Sequence, residues 1–208
     1  MMRPDEILAE SFRIIEAEVG PHPFGAPEWP VVRRMIHASG DVGLVQDVAF
    51  TAGAVAAGVS ALREGAPIVT DVRMVAAGIQ RPSLEALGVG LHCFIDDPEV
   101  KRLAEAARTT RSWCAMERAV STVGSAVYVV GNAPTALLAL CAAVRRGAVR
   151  PRLVVAMPVG FVAVAESKEE ALALGVPVLA VRGRKGGSAI AAAAVNALLV
   201  LAREGRVS

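Results

Sequence analysis

Two arginines and a histidine stand close together in a chain that is otherwise rich in aliphatic side chains: Arg33, Arg34 and His37. A Trp-Pro pair at 29–30 precedes them and a Ser-Gly pair at 39–40 follows, which predicts a helix between the two pairs. In a helix both arginines neighbour His37, because residues three and four apart share a face. Histidine exchanges a proton near neutral pH, and arginine binds carboxylates through two parallel hydrogen bonds. The stretch alone favours an ordinary surface helix whose histidine fills the edge of the core, with proton transfer on an anionic substrate as the alternative.

A second candidate segment combines glycines with basic residues at 183–188. It lies between an apolar run and the last predicted helix, where glycines leave backbone N–H groups free to bind an anion. The segment lacks the GxxxxGK[ST] pattern of a P-loop, and no GxGxxG follows a predicted strand. These absences argue against a nucleotide fingerprint. The segment resembles an anion cradle, but its glycines fit a tight strand-to-helix turn equally well.

Five apolar runs alternate with helical patterns after residue 65. The runs that predict strands are 66–71, 88–95, 125–131, 153–157 and 176–181. Near-continuous Val, Ile and Ala in each run is typical of parallel strands that are covered on both faces. We therefore expect an α/β fold, a three-layer sandwich with a mostly parallel central sheet flanked by helices. The whole chain, 1–208, is expected to be a single domain whose first 65 or so residues form a helical portion, including helices over 5–19, 41–50 and 54–64.

Polar residues follow several of the predicted strands at the point where each strand ends. Thr70 and Asp71 end the first strand, Asn132 follows the third, and the loops 157–160 and 183–188 follow the fourth and fifth. Ligands of such sheets bind beyond the carboxyl ends of the strands, so these residues are expected to converge on one cleft. Asn132 lies before a proline and also fits a helix cap.

Composition excludes several classes of protein. The net charge is +2, too small for the clustered basic face of a nucleic-acid-binding protein. The N-terminus lacks the apolar core of a signal peptide, and the most apolar long stretch, 188–202, is shorter than a membrane span. The three cysteines show neither a disulfide framework nor metal-ligand spacing. We expect a cytoplasmic protein with no metal site and neither nucleic acid nor membrane as a partner.

Several segments, taken in order, resemble one known family, precorrin-8X methylmutase. The segments that carry the resemblance are 34–41 (RMIHASGD), 131–137 (GNAPTAL), 157–162 (MPVGFV), 165–168 (AESK) and 183–189 (GRKGGSA). Two shorter pieces, 70–76 and 110–112, also fit. The similarity runs from about residue 11 to the last helix. Its specificity comes from the order and spacing of the segments rather than from any one of them.

The resemblance implies a particular activity in cobalamin biosynthesis. Members of the family move a methyl group between adjacent carbons at ring C of a corrinoid, converting precorrin-8X to hydrogenobyrinic acid without a cofactor. The family's catalytic histidine corresponds to His37, and its substrate-binding serine and arginine correspond to Ser11 and Arg34. The resemblance also implies a homodimer, and it is consistent with transfer of the product to the next enzyme of the pathway.

The residue types suit this chemistry. A methyl shift around a conjugated macrocycle can proceed as a 1,5-sigmatropic rearrangement, for which His37 would donate or hold a ring proton. The acetate and propionate groups of the substrate call for cations and helix-start amides. The candidate substrate-binding residues are Ser11, Arg34, Thr70, Asp71, Arg111, Asn132, Ser167, Arg184, Lys185, Gly186, Gly187 and Ser188.

Three other interpretations stay open at this point. The substrate could contain cobalt, as for a cobalt-precorrin-8 methylmutase that yields cobyrinic acid. A non-catalytic corrinoid carrier would keep the arginines and the glycines but would not need His37. An unrelated α/β enzyme could use the same cradle for a phosphorylated substrate, because a fold alone does not define function.

Overall fold

In the computed structural model, residues 3–205 are described, and within them six strands form one sheet. The strands are β1 Val48–Phe50, β2 Ile68–Thr70, β3 Leu91–His92, β4 Val127–Val130, β5 Leu153–Ala156 and β6 Val178–Val181. Their order across the sheet is β1-β6-β5-β4-β2-β3, and only the β1–β6 pair is antiparallel. The prediction of a mostly parallel α/β sheet is confirmed.

Helices cover both faces of this sheet. Their bounds are α1 Pro4–Val19, α2 Trp29–Ser39, α3 Ala54–Arg63, α4 Arg73–Gly78, α5 Arg81–Leu87, α6 Pro98–Ala106, α7 Arg111–Val123, α8 Pro134–Arg145, α9 Val164–Leu172 and α10 Ser188–Glu204. Alternate residues of β4 point to the two helical layers on opposite faces of the sheet. Val127 and Val129 pack with α2, α3 and α10, whereas Tyr128 and Val130 pack with α7, α8 and α9. The three-layer arrangement follows from strands that are apolar on both faces.

The helix predicted over 41–50 is wrong. The chain forms a 3₁₀ helix at Val42–Gln46 and then the edge strand β1, in which Val48 lies opposite Val181. A short apolar run does not reveal by its periodicity whether it is helix or strand. Residues 48–50 form a strand because the free edge of β6 offers them backbone hydrogen-bonding partners. The N-terminal portion is therefore not purely helical.

Two other differences lie at the opposite edge of the sheet. The strand predicted over 88–95 is reduced to β3, because Phe94 and Ile95 leave the sheet and pack against Val100 and Ala104 of α6. Helix α5 was not expected, although Pro82 lies in its first turn and Gly88 ends it in a left-handed conformation. Both features are peripheral to the strands that carry the candidate residues.

The small side chains of α10 let this helix approach the sheet closely. Ala191 and Ala194 are fully buried, and a Cβ atom on Gly131 would lie 2.6 Å from the Val75 side chain and 3.0 Å from the Cα of Ser188. The end of β4 and the beginning of α10 therefore touch through backbone atoms. Among the described residues, no helix has the length and apolar character needed to cross a lipid bilayer.

Candidate active site

The last turn of α2 presents His37 at the surface. The helix ends where Gly40 takes a left-handed conformation and donates its N–H to Ile36 at 2.9 Å. His37 is exposed, and its ring stands edge-on to Phe12 of α1 with the centroids 5.7 Å apart. An exposed imidazole at the end of a helix is accessible to a bound substrate. This position fits a group that donates or accepts a proton.

The two arginines of α2 are in different situations. Arg33 forms an ion pair with Glu16 and lies 4.1 Å over the ring of Phe12. Arg34 is half-buried, lies 5.8 Å from the same ring, and forms no ion pair with the residues that the structure describes. Arg33 therefore fastens α2 to α1. Arg34 keeps its hydrogen-bonding capacity for a ligand.

Ser11 lies on α1, next to the phenylalanine that contacts His37. Its hydroxyl is half-buried and donates to the carbonyl of Ile7 at 2.8 Å, an ordinary contact for a serine inside a helix. The oxygen keeps its lone pairs for a donor from a ligand. The packing of α1 on α2 places Phe12, the residue after Ser11, against His37 and near Arg34, and a shared site for Ser11, Arg34 and His37 stays a prediction.

A cavity of about 800 Å³ opens next to Arg34, but neither Ser11 nor His37 is among its lining residues. It lies between α1, α2 and the C-terminal half of α10, and its lining includes Leu8, Phe12, Pro30, Arg34, Val200 and Glu204. The walls are mostly apolar with a few charged groups, which is typical of small-molecule sites. The sequence did not predict this cavity, because the rule for parallel sheets points to the strand ends rather than to a space between helices.

A second group of candidates lies at the carboxyl ends of the strands. Asp71 follows β2 and is buried, and its carboxylate accepts the N–H groups of Gly131 at 2.9 Å, Asn132 at 2.9 Å and Ala133 at 2.8 Å. Burial raises the pKa of the Asp71 carboxyl, and the three N–H donors oppose this shift.

The residue that caps α8 is Ala133, which has no capping side chain. The interpretation of Asn132 as the cap is therefore wrong, and its exposed side chain is free of that role.

Three further candidates lie around these strand ends. Thr70 is buried and donates to the carbonyl of His92 at 3.4 Å. Ser167 is buried and donates to the carbonyl of Val164 at 2.8 Å. Arg111 is exposed at the first residue of α7, next to Thr110, whose hydroxyl contacts that of Thr135 at 3.0 Å. The structure thus places Arg111 near the beginning of α8, at the same edge of the sheet.

The glycine segment between β6 and α10 is packed tightly against the loop after β5. A Cβ on Gly186 would lie 2.4 Å from the carbonyl oxygen of Met157, so only glycine fits there. Gly187 donates its N–H to the same carbonyl at 2.8 Å. Ser188 is the first residue of α10 and is buried, while Arg184 is exposed and lies 5.3 Å from the ring of Phe161.

Lys185 connects the two groups of candidates. Its ammonium lies 2.9 Å from Asp41, just beyond α2, and 3.2 Å from Asp47. The hydrogen bond from Lys185 lowers the pKa of Asp41, and the two carboxylates raise the pKa of Lys185. Within the described residues, no group of three or more His, Cys, Asp or Glu side chains could hold a metal ion. The arrangement offers a proton-transfer group and cations, whereas the N–H groups of residues 131–133 and of Gly187 already donate within the protein.

Known proteins share this architecture along almost the whole chain. Residues 6–201 match the family model for precorrin-8X methylmutase. A precorrin-8X methylmutase from Pseudomonas aeruginosa is 45% identical over 194 residues, which cover 92% of this chain and 93% of the relative. A cobalt-precorrin-8 methylmutase from Priestia megaterium is 41% identical over 204 residues, covering 98% and 91%. The crystal structure of a precorrin-8X methyl mutase from Thermus thermophilus superposes with a TM-score of 0.88 at 46% identity, covering 97% and 99%.

The fold and these matches define an isomerase of cobalamin biosynthesis. The chain belongs to the precorrin-8X methylmutase family. The family to which the sequence motifs pointed is thereby confirmed.

Proposed function

We propose that this protein moves a methyl group between adjacent ring-C carbons of precorrin-8X, and that His37 handles a ring proton during the reaction. One observation carries the proposal. His37 is exposed one helical turn from Arg34, whose guanidinium has no acidic partner among the described residues. A proton-transfer group and a free cation on one helix suit a substrate that carries both ring nitrogens and carboxylates.

The proposed step is balanced without a co-reactant. The bond from the methyl group to one ring carbon breaks while the bond to its neighbour forms, so nothing is oxidised or reduced. His37 would protonate a ring nitrogen or hold its proton, and so select the tautomer from which the shift proceeds. The binding residues would hold the macrocycle in the reactive geometry, which lowers the entropic part of the barrier.

The substrate carboxylates have several partners in this proposal. Arg34, Arg111 and Arg184 are at least partly accessible and would form charge-assisted hydrogen bonds with them. Lys185 would share its ammonium between the substrate and Asp41. The remaining proposed contacts are Ser11, Thr70, Asn132, Gly186, Gly187 and Ser188.

Asp71 and Ser167 belong to the proposed site in a different way. Both are buried, and their oxygens contact backbone groups of the loops and helices around the strand ends. We propose that they act on the substrate through the backbone that they hold. The apolar walls of the cavity would cover the macrocycle itself.

We also propose that the protein is a homodimer. Phe161 and Val162 lie on the loop after β5 and are 82% and 83% exposed, and Met74 on α4 is 73% exposed. A second copy of the chain would cover such side chains. Light scattering of the purified protein should give twice the chain mass of 21.5 kDa, and a monomer at micromolar concentration would contradict the proposal. A cytoplasmic location and transfer of the product to the next pathway enzyme stay predictions.

The cobalt-containing corrinoid is the second candidate substrate, because the Priestia megaterium relative carries the name of that activity. The decisive experiment mixes the purified protein with precorrin-8X, and separately with cobalt-precorrin-8, and follows visible absorption and mass. A spectral change at constant mass establishes the methyl shift and identifies the substrate. Binding of both without a spectral change indicates a corrinoid carrier. Failure to bind either corrinoid would overturn the proposal.

A further inference from the structure

Lys168 is a buried cation beneath the glycine segment. Of the three lysines in the chain, Lys101 and Lys185 are exposed, whereas Lys168 of α9 is completely inaccessible to solvent. Its ammonium donates to the carbonyl oxygens of Gly183 at 2.9 Å and of Lys185 itself at 2.5 Å. No carboxylate among the described residues forms an ion pair with it. Its polar partners are therefore backbone groups of one loop.

That loop is held from outside at several points. The carbonyl between the two that Lys168 binds belongs to Arg184, and it accepts the N–H of Gly160 at 3.4 Å. Residues 183–187 contain no helix or strand, and Gly183, Gly186 and Gly187 all have positive φ angles. Glycines at such angles give the backbone many alternative conformations. The loop therefore depends on Lys168 and on the 157–160 segment for its shape.

We propose that Lys168 is a positioning residue for substrate binding, because it holds the backbone from which Arg184 and Lys185 project toward a corrinoid carboxylate. The identity of the ligand rests on the proposed function. The contacts between Lys168 and the loop are present whatever the ligand is. The same contacts set the direction of the Lys185 side chain, whose ammonium reaches Asp41 at the end of α2. Lys168 thus acts on both groups of site residues without touching the substrate.

The environment of the amine supports this role. Burial lowers the pKa of Lys168 to about 8, and the charge of Asp47 opposes the shift. A lysine amine donates hydrogen bonds whether it is charged or neutral, so the loop stays held on both sides of that pKa. An apolar side chain of similar length, such as methionine, would fill most of the space but leave two carbonyl groups without a donor.

The test compares Lys168→Met with the control Lys101→Met, which removes an exposed lysine from α6. Limited trypsin digestion reports the loop directly, since Arg184 and Lys185 are themselves cleavage sites. We expect faster cleavage after these residues in Lys168→Met only. We also expect corrinoid affinity to fall roughly tenfold to hundredfold, as when a charge-assisted hydrogen bond to a carboxylate is lost. The affinity is measured well below the unfolding temperature of each variant.

Gly186→Ala gives an independent second variant, since its Cβ would collide with the carbonyl of Met157 and displace the same loop. It should reproduce both effects while Lys168 is intact, and it serves if Lys168→Met does not fold. Unchanged cleavage in a folded Lys168→Met variant would overturn the proposal, whatever Gly186→Ala shows. So would faster cleavage with unchanged corrinoid affinity. If the wild-type protein binds no corrinoid while the cleavage rates differ as expected, the proposed function and the substrate role of Lys168 both fail, and only the loop contact stands.

Discussion

The ammonium of Lys185 lies 2.9 Å from the carboxylate of Asp41 and joins the glycine loop to the end of α2. Asp41 comes four residues after His37, and Lys185 comes three residues before the start of α10. The ion pair therefore connects the proposed proton-transfer group with the proposed anion cradle. The pair is half exposed, so its contribution is geometric more than energetic. A substrate carboxylate near Lys185 would compete with Asp41 for the same ammonium.

Replacing His37 by alanine should abolish turnover and leave the fold intact. The side chain is exposed, so its removal opens no cavity in the core. Loss of a general acid or base slows a reaction by about a hundredfold to ten-thousandfold, so kcat should fall within that range or below detection. His92→Ala is the matched control, because His92 is also exposed and lies at the edge of the sheet. Normal turnover by His37→Ala would remove this residue from the mechanism.

Replacing Arg34 by alanine should weaken corrinoid binding. The guanidinium has no acidic partner among the described residues, and a charge-assisted hydrogen bond to a substrate carboxylate would be lost, so the dissociation constant should rise roughly tenfold or more. The dissociation constant is measured by titrating the protein with the corrinoid and following visible absorption. Arg13→Ala, which removes an exposed arginine already paired with Glu10, should leave the affinity unchanged. Equal affinities for Arg34→Ala and the wild type would contradict the assignment.

Local signals were enough to predict α2. Pro30 in the first turn and Gly40 after the last one fix its ends, and the face shared by Arg34 and His37 follows from helical spacing. The strands that lie in the middle of the sheet were predicted for a similar reason. They are buried on both faces, so their sequences are continuously apolar. The edge strand β1 has no such signature and depends on β6 for its pairing.

Contacts between distant segments were the part that the sequence could not reveal. Asp71 was predicted to touch substrate, but the N–H groups that its carboxylate accepts lie about sixty residues further along the chain. Lys168 lies among glutamates in a helix, which is the usual pattern of a solvated face, yet the carbonyls of another loop enclose it. Burial of a polar side chain is decided by the segment that covers it, and neither residue has a local signal of that segment.

Asp71→Ala should strongly destabilise the protein. The variant leaves three buried or half-buried N–H groups without an acceptor, and each hydrogen bond to a charged group is worth about 1.5–3 kcal/mol. The cost of burying the carboxylate, which raises the pKa of Asp71, offsets part of this sum. We therefore expect the free energy of unfolding in urea to fall by about 3 kcal/mol. Asp96→Ala, which breaks an exposed pair with Arg73, should have a much smaller effect, and equal effects would contradict the structural role of Asp71.

Lys168 should make the stability of the protein rise with pH between about 8 and the ordinary lysine pKa of 10.5. Below pH 8 the amine is charged in both the folded and the unfolded chain, and the cost of burying that charge is fully present. Within the window the folded protein releases the proton while the unfolded chain keeps it, so the free energy of unfolding increases with pH.

The linkage is measured as the difference in urea unfolding free energy between the wild type and Lys168→Met at several values of pH, because all other titrating groups then cancel. This difference should grow in favour of the wild type by at most about 1.4 kcal/mol per pH unit, to a total of about 3 kcal/mol. The sign follows from burial, which lowers the pKa of an amine by disfavouring its charged form. A difference that stays flat from pH 7.5 to 10, or that falls, would show that the folded protein keeps Lys168 charged throughout this range.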